Sequence, residues 1–262
     1  VSRKIEKVPV MPMFFKLGPL TSVRCIFVVF AIFVTLISFE AEAQTSYFKK
    51  IKKTVVLDPG HGGHDSGARG PDGNLEKDMV LKLANALADE IKNEYEVVLT
   101  RTGDYGLDIQ GRTSMANHLE ADLFISIHNG GSFRHKAGGI TIFYFRPLPN
   151  QDSASDIESA KPFGDSEDPI TWDHIQGKHI NSSITLAKSI QSRIKQKVTF
   201  SRCNVQAAPL LVLRSADMPA VLVEAGYLTN PAEEKALSDP DVRSQLAESI
   251  GRGIHDFLSK FE

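Results

Sequence analysis

Residues 54–63 read Thr-Val-Val-Leu-Asp-Pro-Gly-His-Gly-Gly, and their order decides the fold class. Thr54 to Asp58 is a short apolar run rich in β-branched side chains, the pattern of a buried strand, and Pro59-Gly60 stops it. A glycine-rich loop follows through Gly62, Gly63, Gly67, Gly70 and Gly73. Beyond it, Met79, Val80, Leu83, Ala84, Leu87 and Ile91 recur at helical spacing, with Lys82, Asp89, Glu90 and Lys92 on the other side. That spacing predicts an amphipathic helix.

The same alternation continues outward. Tyr95 to Thr100 is a second predicted strand, Ile109 to Leu119 a helix, Leu123 to Ile127 a short buried strand ending at His128, and Ile140 to Phe145 a further strand. A helix is expected from about His179 to Lys197, with Ile184, Leu186, Ala187, Ile190 and Ile194 turned inward. Strands are expected at Leu210–Leu213 and Ala220–Val223, and a final helix from about Asp241 to Phe261. Strands alternating with helices of these lengths imply a single α/β domain with a mostly parallel central sheet flanked by helices. From Pro147 to about Lys178 no period is visible and Pro, Asp, Ser and Glu dominate, so an insertion is expected before the helix that starts near residue 179.

The chain has 262 residues, 30 Lys+Arg against 32 Asp+Glu, and a formal net charge of −2. That balance gives no electrostatic drive toward nucleic acid or anionic lipid. Residues 1–43 differ from the rest: Lys16 and Arg24 precede an apolar run from Cys25 to Phe39, and Ala41-Glu42-Ala43 places small residues where an exporting peptidase reads them. A signal peptide over 1–43 is expected, starting at Met11 or Met13, with a short linker over 44–53. The apolar run is shorter than the ~20 residues of a membrane-spanning helix. Once the leader is removed, Cys203 is the only thiol, so stability must come from a hydrophobic core rather than an internal disulfide.

In parallel sheets, the loops leaving the carboxyl ends of strands converge on the ligand crevice. His61, His128 and Glu224 (in Val221-Leu222-Val223-Glu224) each stand at such an end. A catalytic zinc needs three protein ligands of the His, Asp or Glu type and one open position, and His61, Glu76 and His128 are candidates by type and setting. Each also has a plainer reading. A histidine is tolerated among glycines, a glutamate at a helix start suits the macrodipole without any metal, and a histidine ending a buried strand can be a hydrogen-bonded core residue. Glu224 after three apolar residues is a nearly buried carboxylate, which is costly unless paired or functional.

Taken together, the segments TVVLDPGHGGHDSGARG, NLEKDMVLKLA, VVLTRTGD, GRTSMAN, ADLFISIHNG and MPAVLVEAGYLTNPAEE resemble, in order and spacing, the zinc-dependent N-acetylmuramoyl-L-alanine amidases with an amidase-3 catalytic domain. The resemblance spans about Thr54 to Phe261. It implies that His61, Glu76 and His128 bind Zn²⁺ and that Glu224 is the catalytic acid/base. The implied substrate is peptidoglycan, at the amide between the lactyl group of N-acetylmuramic acid and L-alanine, and the implied location is the periplasm or cell wall. Asn129-Gly130-Gly131 departs from the small residue and asparagine usual after the family's second histidine: either one residue is missing there or the loop is reshaped, and a substrate contact by Asn129 does not carry over. Arg112 matches a family arginine, yet its default role is a helix-surface ion pair. In relatives an insertion like 147–178 can cover the zinc until an activator protein displaces it, so a lid is a possible role here, with Asp173 or another carboxylate capping the metal; a solvated surface loop is the alternative.

Overall fold

Three consecutive apolar side chains, Val55, Val56 and Leu57, are fully buried. A run like this needs a sheet covered on both faces, and the fold supplies it. The structure is a computed structural model that describes residues 52–133, 135–147, 172–199 and 201–261. The expected leader and most of the linker lie outside the described residues, as do residues 148–171 of the insertion and the side chain of Asp173.

The elements run β1 (Thr54–Pro59), α1 (Glu76–Ile91), β2 (Glu96–Leu99), α2 (Ile109–His118), β3 (Leu123–Gly130) and β4 (Ile140–Phe145). A 3-10 segment, Trp172–His179, leads into α3 (Ile180–Lys197). Then come β5 (Cys203–Ala208), a single turn α4 (Leu211–Arg214), β6 (Ala220–Tyr227), α5 (Pro231–Ser238) and α6 (Pro240–Leu258). The strand order is β2-β1-β3-β6-β4-β5. β2, β1, β3 and β6 are mutually parallel; β4 runs antiparallel to β6 and carries β5 parallel to itself.

Alternation along the strands sorts the core into two layers. Val55, Leu57, Leu123, Ile125, Ile127, Val221 and Val223 pack against Leu83 and Leu87 of α1, Leu186 and Ile190 of α3, and Ile250 and Ile254 of α6. On the other face Val56, Phe124, Ala220 and Leu222 meet Ala116 of α2, Leu213 of α4 and Met218. This second face also carries Asp58 and Ser126, which are cross-strand partners. The Asp58 carboxylate accepts hydrogen bonds from Thr100 Oγ1 (2.6 Å), Ser126 Oγ (2.8 Å) and Arg112 Nη1 (2.8 Å), so its burial is compensated. One pair further along, His128 stands opposite Glu224, and the apolar layer gives way to functional side chains.

One expectation is corrected, and two elements stand where none was expected. Leu210–Leu213 is not a strand: Leu211–Arg214 forms one helical turn, with Leu213 buried and Leu211 exposed. A four-residue apolar run carries no period that separates helix from strand. The strand in that region is Cys203–Ala208, an edge strand held by β4 along its full length, and its sequence Cys-Asn-Val-Gln-Ala-Ala has too few β-branched residues to announce it. Helix α5 was also unmarked by hydrophobic spacing. Its start is set by Asn230, whose side chain accepts from the N–H groups of Ala232 and Glu233, with Pro231 at the first helical position.

Candidate metal centre

His61 reaches the site from just past the end of β1 and His128 from within β3, two residues before its end. The main chain leaves β1 at Pro59, and the Gly60 N–H still donates to Ile127 O (2.9 Å), so His61 begins its loop beside the end of β3. His61 itself has φ = 61°, a left-handed conformation costing about 1–3 kcal/mol for a residue with a Cβ. That geometry aims its ring at Glu76, the first residue of α1. His61 Nε2 lies 3.0 Å from Glu76 Oε1, and His128 Nδ1 lies 3.0 Å from the same oxygen. The two rings meet edge to face with centroids 4.9 Å apart. Among the described residues these three form a donor group whose ligand atoms lie within 4.8 Å of one another.

Two glycines make this convergence possible. A Cβ on Gly60 would stand 2.2 Å from His128 Cε1, and one on Gly67 would stand 2.5 Å from Glu76 Oε2 and 2.7 Å from His61 Cδ2. The space that Gly60 leaves is thus filled by the His128 imidazole.

Glu76 is nearly fully buried at 3% exposure. Its Oε2 accepts from Ala68 N (2.8 Å) and its Oε1 from Asn129 N (2.9 Å). Burial pushes the carboxyl pKa upward, but the hydrogen bonds from His128, His61 and Ala68 outweigh it and set the value at about 2. The carboxylate is therefore ionised across the useful pH range. For His61, burial opposes the charged form, yet the Glu76 and Asp65 carboxylates prevail and raise its pKa. Asp65 Oδ2 is 2.7 Å from His61 Nδ1. This bond orients the ring and leaves Nε2 facing Glu76, the arrangement by which a carboxylate supports a metal-binding imidazole.

The departure after His128 is resolved as a bulge. β3 continues to Gly130, which pairs with Tyr227 after a register shift. Asn129 is buried, and its main-chain N–H serves Glu76.

Glu224 lies across the ladder from His128 on one side and Thr141 on the other. It is partly buried. Burial raises its pKa, the nearby Glu76 adds to the rise, and His128 opposes it. A carboxyl held above its ordinary value beside a metal-type donor set suits proton transfer in both directions. The structure thus brings the four anticipated residues to one end of the sheet: three converge on a single point and Glu224 stands alongside.

Asp65 was not anticipated, although its place four residues after His61 in His-Gly-Gly-His-Asp was visible. Arg112 is not a surface ion pair: it is 5% exposed and bonded to Asp58 beneath the site. A helix with few large apolar residues reads as a surface helix, which hid the inward direction of that guanidinium.

Fold and donor set define an α/β domain with a two-histidine, one-carboxylate centre at the carboxyl ends of parallel strands. A family model described as N-acetylmuramoyl-L-alanine amidase, of the amidase-3 type, matches residues 55–256. The chain belongs to this family. It is 33% identical over 225 residues to the N-acetylmuramoyl-L-alanine amidase AmiA of Escherichia coli K12, covering 80% of this chain and 78% of that one. Among solved structures it resembles the catalytic domain of CwlV, an N-acetylmuramoyl-L-alanine amidase from Bacillus (Paenibacillus) polymyxa var. colistinus, with TM-score 0.64 and 30% identity over 79% of this chain and 98% of that chain. It also resembles the CwlD amidase of Clostridioides difficile in complex with the GerS lipoprotein, with TM-score 0.60 and 25% identity over 79% of this chain and 99% of that chain.

Gly60→Ala tests the packing of the centre. The added methyl meets the His128 ring, an overpacking cost of about 1–3 kcal/mol that the ring can relieve only by moving. The expected outcome is a folded protein by circular dichroism whose affinity for a divalent metal is about 10–100-fold weaker than that of the unaltered protein; equal affinity would refute the packing argument.

Proposed function

We propose that the protein is an exported, zinc-dependent N-acetylmuramoyl-L-alanine amidase that hydrolyses the amide between the lactyl group of N-acetylmuramic acid and L-alanine of the peptidoglycan stem peptide, in cell-wall turnover or daughter-cell separation. The observation that carries this reading is the meeting of His61, Glu76 and His128 at one point, with Glu224 alongside. Zinc fits this donor set: two imidazoles and an ionised carboxylate leave a fourth position open, and the buried, charged Glu76 is suited to facing a cation. Zinc bound there supplies Lewis acidity toward an amide carbonyl and toward water.

The chain's own residues do the rest. Asp65 holds the His61 ring, and the main-chain N–H groups of Ala68 and Asn129 hold Glu76. Glu224 accepts a proton from the attacking water as its oxygen bonds to the carbonyl carbon. The same carboxyl then gives that proton to the nitrogen as the carbon–nitrogen bond breaks, releasing the stem peptide with a free L-alanine amine. Export rests on the leader features of 1–43, and peptidoglycan lies outside the cytoplasm. Among the described residues no helix is long and apolar enough to cross a membrane.

The reading extends to an activator protein acting on 147–178. The CwlD structure was obtained with a lipoprotein bound, which supports control by a partner in a similar domain. In this chain β4 ends at Phe145, at the end of the sheet away from Glu224, and residues 148–171 beyond it lie outside the described residues.

Mass spectrometry of products from purified peptidoglycan tests the activity. Stem peptides with a free L-alanine amine are expected, with release stopped by a chelator and reduced by at least about 100-fold in Glu224→Gln. Release of single terminal residues or of acetate would instead indicate a carboxypeptidase or a deacetylase. Burial holds the Glu224 carboxyl above its ordinary range, and kcat/KM should fall on the acid side as that carboxylate takes up a proton and can no longer act as base. Deletion of residues 150–176 should raise turnover if the segment restrains the enzyme; unchanged turnover of the folded deletion protein would refute that control.

A further inference from the structure

Three consecutive main-chain carbonyls, those of Pro59, Gly60 and His61, lie in the turn that carries the first histidine. All three accept from two buried guanidinium groups. Arg101, 1% exposed, donates from Nε to Pro59 O (2.9 Å) and from Nη2 to Gly60 O (2.7 Å). Arg112 donates from Nη1 to Pro59 O (2.9 Å) and from Nη2 to His61 O (2.9 Å). Each arginine also reaches a second element. Arg101 Nη2 donates to Lys77 O (2.7 Å), one residue past Glu76, and Arg112 Nη1 donates to the Asp58 carboxylate at the end of β1 (2.8 Å).

We propose that Arg101 and Arg112 are positioning residues that preorganise the His61 loop for metal. This inference rests on the reading of His61, Glu76 and His128 as metal ligands. A left-handed histidine stores conformational energy, and without external support the loop would relax and withdraw its imidazole. The planar fork of arginine supplies several fixed donors at once, so two side chains lock three carbonyls. One atom, Arg101 Nη2, bonds both Gly60 O and Lys77 O and thereby ties the main chain next to His61 to the main chain next to Glu76. The spacing of two ligands is set before metal arrives, and binding bears little ordering cost.

Lysine keeps the positive charge but cannot serve all these carbonyls together, so Arg101→Lys and Arg112→Lys are the informative variants. Arg193→Lys, which disturbs only the remote Arg193–Asp256 pair between α3 and α6, controls for general destabilisation. Zinc affinity, measured by competition with a chromophoric chelator, should fall about 10–100-fold in each loop variant and stay at the wild-type value in the control. Thermal unfolding in chelator reports loss of stability separately. Loop variants that are less stable yet bind zinc within twofold of wild type would overturn the proposal, because a purely structural role predicts that pattern. A wild-type protein that binds no zinc would instead overturn the metal reading beneath it. Hydrogen exchange on the wild-type protein gives a check that needs no variant. The Gly60 and Gly62 N–H groups, bonded to Ile127 O and Asp65 O, should be as protected in chelator as with zinc; protection that appears only with zinc would refute preorganisation.

Discussion

Two imidazoles share one carboxylate oxygen, Glu76 Oε1, at 3.0 Å each, and most of the structure around the site serves that meeting. Bringing an ionised carboxylate into a nearly closed environment is costly unless its charge is answered. Here the answer comes from two histidines and two main-chain N–H groups, enough to hold the carboxyl at about 2 despite burial. A cation placed among these donors would replace histidine protons as the balancing charge, so the three side chains have the electrostatic form of a metal site.

The sheet explains how residues far apart in sequence arrive together. β1, β3 and β6 are adjacent and parallel, so their carboxyl ends lie side by side. Register then assigns the faces: Asp58 and Ser126 form one polar row, and His128 and Glu224 form the next. Below these rows are the apolar positions Val56, Phe124 and Ala220, and the buried Asp58 is satisfied by Thr100, Ser126 and Arg112. Polar chemistry thus begins where the second core layer ends. Among the described residues no buried side-chain polar atom lacks a hydrogen-bond partner.

Much of this was legible from sequence because the signals were physical. The run Val55–Leu57 reads as a buried strand because it is rich in β-branched side chains and is stopped by Pro59-Gly60, and the spacing from Met79 to Ile91 marks one buried helical face. The placement of His61 just past β1 follows from parallel topology, whereas β3 runs on past His128 to Gly130 and β6 past Glu224 to Tyr227, so these two side chains stand inside longer strands than their apolar runs mark. Other features were not legible, for equally physical reasons. Cys203–Ala208 is a strand because β4 offers it an edge, a tertiary cause that leaves little mark on composition. Leu210–Leu213 is apolar but too short to have a period. Arg101 and Arg112 act through main-chain carbonyls, and sequence gives no sign of which carbonyls need donors. The left-handed His61 was likewise hidden, since its flanking glycines advertise a turn without saying which residue bears the strain.

The central claim is that His61, Glu76 and His128 form one zinc site, and X-ray absorption at the zinc edge tests it most directly. The account predicts one zinc per chain, with a first shell of nitrogen and oxygen at about 2.0–2.2 Å and outer scattering from two imidazoles, lost in His128→Ala. A sulfur shell from Cys203, a shell without imidazole, or stoichiometric zinc that survives His128→Ala unchanged would contradict it.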